Sequence, residues 1–448
     1  MTLGSAAKAA TAPTPLPTAA EPADPPSGRP AGAAGLTGRR HEELRDAVRR
    51  FAEEEVRPRI PEMERGRTAE HELSRLIARQ GWIGVTVPAA YGGMDAGHLA
   101  KTVIIEELSR VSGAMGAMVQ ASQLGVAKIV HFGSAEQKRA WLPAVADGRC
   151  LPTIAVTDPE SGGHVLGMEG TAEASPDGRQ YRLNGRKVYV GNSHVGDLHG
   201  VVLRTGPGSR GLSAFLVEAT RPGFGLGEQV EAMGLHGFSF GELVFDDCRI
   251  PVENRLGEEG DGLAVAYSSS VLYGRPNLTA VSLGIHQALV DETVRFCAER
   301  RRYGKALSAL PSIKLKLGEM QSRLMTARLT AYHAVHLLDR GEACDAELMN
   351  AKLVNVEYAL DTARNAMEIH AASGLFTDRP LERYLRDAHH IFAPAGTSDI
   401  QRLRLAESAL GTDRGQWSER LSDLVRHHPD DPAGPAEPHP HPDLARSA

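Results

Sequence analysis

From about residue 40 the apolar positions follow a helical rhythm: Leu44, Val48, Phe51 and Ala52 recur at the spacing of one buried stripe. Similar patterns run on to residue 149. One of them opens with Ser134 and Gln137 at capping-box spacing before KRAWLPAVADG, so 39–150 is predicted as a helical domain. Near residue 150 the texture changes to short β-type runs: LPTIAVT, YRLNGRKVYV, HGVVLR, LSAFLVEA and GELVFDD. These predict a compact, mostly antiparallel β domain over 151–255, with Asn184-Gly185 read as a hairpin turn. Long helical patterns return after Gly260, over 262–300, 311–339, 345–371, 380–390 and 398–410, making 256–412 a helical bundle. The expected class is α+β, with helices on either side of a β domain, and the chain carries no internal repeat.

The two ends lack this periodicity. Residues 1–38 are rich in Ala and Pro, include Glu21 and Asp24, and have no apolar centre, so they read as a disordered tail and not as a secretory or mitochondrial signal. Arg39-Arg40 is followed by charged HEELRD, which is unlike a twin-arginine signal. Residues 413–448, with His427-His428, His439 and His441, also read as a disordered tail, so no metal site is expected.

Composition narrows the classes. A chain of 448 residues with 42% hydrophobic content has room for two or three packed domains. A net charge of −6 offers no basic footprint for nucleic acid, and no stretch approaches the roughly 18 apolar residues of a membrane helix. Cys150, Cys248, Cys297 and Cys344 stand far apart, which suits a reducing cytoplasm better than a disulfide framework or a zinc site. Among motifs, there is no Walker loop, no strand-to-helix G-x-G-x-x-G, no G-x-S-x-G and no H-E-x-x-H. Pattern and composition alone stop at a soluble protein of mixed helix and sheet.

Longer blocks carry more. TVPAAYGG (86–93), AVTDPESGG (155–163), LNGRKVYVGN (183–192), AMGLHGFSFGELVFDDCRIPVENRLG (232–257), AERRRYGKAL (298–307) and ERYLRDAHHIFAPAGTSDIQR (382–402) together resemble acyl-CoA dehydrogenases, in that family's order and over residues 40–411. The resemblance implies an N-terminal helical domain, a middle β domain and a C-terminal four-helix bundle. It also implies FAD lying between the last two, α,β-desaturation of an acyl thioester carried by CoA or an acyl carrier protein, and a homo-oligomer, dimer or tetramer. Thr157 matches the hydroxyl residue beside the flavin ring, Tyr189 stands for a tryptophan against it, and Arg300 matches an arginine that reaches a neighbour's FAD diphosphate. Gly396, Thr397 and Ser398 match the family's G-T-S turn. An arginine suits a diphosphate, and a helix start offers N–H groups to an anion, although Thr397 or Ser398 would serve equally as a plain helix cap.

The chain also departs from the family. Ala395 stands where medium- and short-chain enzymes carry the catalytic glutamate, and Gly274 where isovaleryl and long-chain enzymes carry theirs. No catalytic residue is therefore assigned; His389, His390 and Tyr273 lie near these positions in sequence. Asp399 stands where Glu or Gln is usual. Gly191 replaces a threonine that bonds flavin N5, Gly163-His164 replaces Ser-Asp, and Pro311 replaces a glutamine. Ala371-Ala372 replaces Gly-Gly, Glu368 stands at a frequent Gln position, and His236 and Phe238 replace Arg and Ser. Three functions are compatible with this pattern: an FAD oxidoreductase on an acyl thioester, a flavin monooxygenase on the same fold, or a non-catalytic subunit in a hetero-oligomer with a related chain.

Overall fold

The computed structural model describes residues 36–66, 70–229, 231–412 and 415–420. The expectations for most of both tails, including all four tail histidines, lie outside the described residues. The first helical region comprises α1 (Arg39–Phe51), α2 (Ile60–Gly66), α3 (His71–Arg79), α4 (Gly97–Val111), α5 (Gly113–Phe132) and α6 (Ala135–Ala146). Leu44 and Val48 bury the stripe of α1, and α6 opens on the expected box: Gln137 N–H donates to Ser134 Oγ and Ser134 N–H to Gln137 Oε1.

Next come β1 (Pro152–Ala155), β2 (Thr171–Ala174), β3 (Gln180–Gly191), β4 (Leu198–Arg204), β5 (Leu212–Glu218), β6 (Phe224–Gln229), β7 (Phe240–Pro251) and β8 (Arg255–Leu256). The sheet runs β6-β7-β3-β2-β4-β5-β8, with β1 beside β4. All pairings are antiparallel except those of β1 and β2 with β4. Asn184-Gly185 is not the hairpin turn that the dipeptide suggested. It lies inside β3 at a register shift against β7, where Asn184 Oδ1 accepts the Asp247 N–H at 2.9 Å. Gly185 has φ +140°, and a Cβ there would stand 2.7 Å from Gly170 Cα, so the glycine serves a bulge and a close approach.

The bundle consists of α7 (Gly262–Ser268), a π-helical turn (Ser269–Gly274), α8 (Arg275–Glu299), α9 (Pro311–Asp339), α10 (Asp345–His370), α11 (Leu381–His390) and α12 (Ser398–Ala409). Pro276 occupies the first turn of α8, where a missing N–H costs nothing. Two contacts fix how the layers meet. A Cβ on Gly125 of α5 would stand 2.4 Å from the Pro152 carbonyl carbon, and one on Gly284 of α8 would stand 2.3 Å from Glu106 O, so the sheet and α4 each reach a helix backbone. Part of the stretch read as an unfolded tail is also docked. The Asp345 carboxylate accepts from Trp417 N–H, Ser418 N–H and Ser418 Oγ, and Trp417 stacks on Tyr267 at 6.1 Å.

A buried polar network joins α1, α4 and α9. Arg45 Nη1 lies 2.5 Å from Glu107, Arg328 Nη2 lies 2.8 Å from Glu106, and the Tyr332 hydroxyl donates to Glu106. Burial alone would raise the Glu106 pKa; the Arg328 and Arg45 guanidiniums, with the Tyr332 and Arg328 hydrogen bonds, bring it from 4.5 to about 2. A carboxyl with a depressed folded pKa contributes stability above its unfolded pKa and loses it as pH falls through the folded one. Glu106→Gln is therefore expected to cost about 3–5 kcal/mol at neutral pH, because it strands buried guanidiniums. Urea unfolding should show the difference from the parent shrinking as pH falls from 4.5 toward 2.

Candidate active-site cleft

A cavity of about 290 Å³ opens between the sheet and the bundle. Thr157 and Tyr189 line it from the sheet side, Leu124 from α5, Gly274 from the π turn, and His390 and Ala395 from the end of α11 and the segment beyond it. Thr157, Tyr189, Gly274 and Ala395, distant in sequence, thus share one cleft. Arg300, Gly396, Thr397 and Ser398 do not line it: Arg300 is exposed at the end of α8, and the other three lead into α12 behind Ala395.

Gly274 and Ala395 face each other. A Cβ on Gly274 would stand 3.3 Å from the Ala395 Cβ, so side chains from either position enter the same space. That space now holds one methyl group and no carboxylate.

The sheet wall is fixed by its backbone. Val188 N–H donates to Thr157 O at 2.9 Å, and the neighbouring Asp158 carboxylate accepts from Glu169 N–H, Gly170 N–H and Lys187 Nζ. Tyr189 takes φ +57° and leaves 58% of its surface exposed, an uncommon conformation for a bulky residue. Its ring stacks with Phe240, 5.9 Å away, and Phe240 stacks with Phe238 at 6.1 Å. A Cβ on Gly191 would stand 3.0 Å from the Phe238 ring and 2.9 Å from the Ala121 Cβ. Glycine at 191 and phenylalanine at 238 therefore go together: the ring takes the room a larger residue at 191 would need.

The opposite wall hangs on carbonyl oxygens. Ala395 and Gly396 have φ of +55° and +95°. Buried Lys352 of α10 donates to Phe392 O at 3.1 Å and to Gly396 O. Buried Gln401 donates from Nε2 to Ala395 O at 3.1 Å and Gly396 O at 3.0 Å, while its Oε1 accepts from Arg275 Nε at 2.9 Å. Burial lowers the Lys352 pKa to about 7 and that of Arg275 to about 10, and Arg275 Nη1 has no hydrogen-bond partner among the described residues. The sequence reading named neither Lys352 nor Gln401. The available signal was Lys352 in the buried phase of α10, beside Leu348, Ala351, Asn355 and Ala359.

The remaining candidates separate clearly. Tyr273 is buried outside the cleft lining, 3.1 Å from His131 Nε2 and edge-on to His98, with Lys101 Nζ over its ring. His389 is exposed outside the cleft, whereas His390 lines it. His236 is held by Glu64 and the Ala232 carbonyl. Asp399 pairs with Arg402, as a helix-start acid does, and Glu368 pairs with Lys316. Ala371 takes φ +51°, a conformation that favours glycine. Thr397 occupies the N-cap position of α12 without a side-chain capping bond, leaving its hydroxyl and the first N–H groups available to an anion. Among the described residues no cluster of His, Cys, Asp or Glu could hold a metal, and no helix is long and apolar enough to cross a membrane.

Comparisons with known proteins agree with this architecture. Residues 38–149, 153–248 and 260–410 match the N-terminal, middle and C-terminal domain models of acyl-CoA dehydrogenase. An acyl-CoA dehydrogenase of Bacillus subtilis is 35% identical over 371 residues, 82% of this chain and 97% of its own. The prolyl acyl carrier protein oxidase AnaB superposes with a TM-score of 0.78 at 27% identity, over 83% of this chain and 98% of its own. PigA with FAD and proline gives the same TM-score and identity over 84% and 98%.

Gln401→Leu should release the segment that carries Ala395 and strand Arg275 Nε. The expected cost is on the order of 1–3 kcal/mol, read by urea unfolding. A change below about 0.5 kcal/mol, within the range of ordinary surface substitutions, would contradict this role.

Proposed function

The chain belongs to the acyl-CoA dehydrogenase family, and on that premise we propose that it is an FAD-dependent oxidoreductase acting on an acyl thioester of CoA or of a carrier protein. The observation that carries this reading is the convergence of Thr157, Tyr189, Gly274 and Ala395 on one cleft. The likeness to AnaB and to PigA with FAD supports a carrier-bound substrate and a flavin, respectively.

The residues fit the cofactor. Thr157 and the open face of Tyr189 would take the flavin ring, the uncapped start of α12 at Thr397 and Ser398 offers donors to anionic groups, and exposed Arg300 suits a diphosphate from a neighbouring subunit. Bound FAD supplies a hydride acceptor. The protein's part is to bind the thioester, keep water out and orient the acyl carbon: Ala117, Leu124 and Leu278 give the cleft an apolar lining that accommodates an acyl chain. An oligomer is part of the proposal. Leu315 and Leu329 on α9, Leu403 on α12 and Leu410 just beyond it are 77%, 52%, 63% and 75% exposed, apolar positions that a second copy would cover.

The purified protein should be yellow, with the visible absorption bands of a flavin, and light scattering should give a dimer or tetramer. A colourless protein on its own would favour the non-catalytic subunit. Oxygen consumption that accompanies substrate turnover without an electron-acceptor protein would favour a monooxygenase. Arg300→Ala should weaken FAD binding by about 1.5–3 kcal/mol, the range for a hydrogen bond to a charged group; unchanged affinity would remove Arg300 from the site.

Ala395→Glu restores a carboxylate to the space shared with Gly274. Anaerobic flavin bleaching by a panel of acyl-CoAs should then be faster than in the parent, by up to about 10² to 10⁴ if no other group in the cleft takes the α proton. A variant that binds FAD and acyl-CoA but bleaches no faster would show that a missing base at this position is not what limits the reaction.

A further inference from the structure

Removing the α proton of an acyl thioester needs a basic atom in the cleft, and neither Ala395 nor Gly274 supplies one. Among the described residues, three that line the cleft carry a titratable group: Tyr189, Tyr267 and His390. A phenol hydroxyl oxygen is a far weaker base than an imidazole nitrogen, so neither tyrosine is a ready proton acceptor. Tyr267 is in addition stacked flat against Trp417. The imidazole of His390 remains.

His390 is the last residue of α11, half-buried, with its ring edge-on to Phe240 at a centroid distance of 5.5 Å. Neither ring nitrogen is hydrogen-bonded to another described residue, which leaves a lone pair for a ligand. By contrast, the rings of His131, His194, His199, His236 and His286 each engage a hydroxyl, a carbonyl or a carboxylate. Burial, with a smaller push from His236, lowers the His390 pKa below the ordinary imidazole value and so favours the neutral ring, whose nitrogen can accept a proton.

We propose that His390 is the catalytic base of this cleft, the residue that takes the α proton in place of the absent carboxylate. The assignment rests on the acyl-thioester reading above and names the proton acceptor within it. In the step, the Cα–H bond breaks, the proton forms a new N–H bond on the imidazole, and the C–H electron pair moves onto the thioester oxygen as an enolate. Neutral imidazole and neutral thioester become imidazolium and enolate, so charge balances without an oxidant. The reverse step returns a proton, and in heavy water it returns a deuteron.

That reversibility gives a test separate from oxidation. Phenylacetyl-CoA and 3,3-dimethylbutyryl-CoA have α hydrogens but no hydrogen on the β carbon, so they cannot be desaturated. The protein as purified is incubated with each in heavy water, and loss of the α-CH₂ signal is followed by proton NMR, with thioester binding measured in parallel by calorimetry. The parent should catalyse exchange, His390→Gln should slow it by about 10² to 10⁴ with thioester affinity kept, and imidazole added to His390→Ala should restore part of it. Exchange that persists in His390→Gln would overturn the assignment, as would a parent that binds thioester and exchanges nothing. If neither acyl group binds the parent, either as its CoA ester or loaded on an acyl carrier protein, the acyl-thioester reading itself falls and His390 loses its role with it.

Discussion

The shape of the cleft depends on where three carbonyl groups go. Between α11 and α12 the chain must turn sharply enough to put Ala395 and Gly396 into left-handed conformations, and partly buried carbonyls left without donors would add to the cost of such a turn. Lys352 and Gln401 supply the donors, capturing the oxygens of Phe392, Ala395 and Gly396. Gln401 also accepts from Arg275, and so ties the turn to the start of α8, one residue beyond Gly274. One polar cluster therefore sets the distance between the two positions that face each other across the cleft. The side chains that maintain this arrangement lie behind both positions and do not depend on what either carries.

The other wall obeys a packing constraint. Gly191 sits where any larger residue would meet Phe238 and Ala121, and Phe238 continues a row of rings through Phe240 to Tyr189. These rings make this side of the cleft apolar, which strengthens any electrostatic interaction within it. His390 rests against the same row. Burial in that setting lowers its pKa below the ordinary imidazole value.

Much of the fold was legible because helices and strands with one buried face announce their period. The expected helix over 311–339 coincides with α9, and the capping box at Ser134 is formed as read. Asn184-Gly185 misled because the same dipeptide serves a hairpin turn or a bulge, and the choice is made by strand β7 and by Gly170, both distant in sequence. Trp417 misled for a related reason: its segment has no period of its own and is held by Asp345. In the site, the positions that converge were named from their motifs, but direction was not legible. Whether His389, His390 or Tyr273 faces the cleft depends on where α11 ends and how the π turn rotates the residues before Arg275, and only His390 reaches it. Lys352 and Gln401 act on backbone atoms of other segments, and no local pattern marks such partners.

The central claim is that the space shared by Ala395 and Gly274 receives an acyl thioester, with a flavin on the Thr157–Tyr189 wall and the His390 imidazole within reach. A crystal structure of the holoprotein with bound phenylacetyl-CoA tests it most directly. The expected result has the flavin ring against Thr157 and Tyr189, the thioester lying between it and Ala395, and a His390 ring nitrogen at contact distance from the α carbon. A flavin bound elsewhere, or a thioester whose α carbon lies far from both Ala395 and His390, would contradict it.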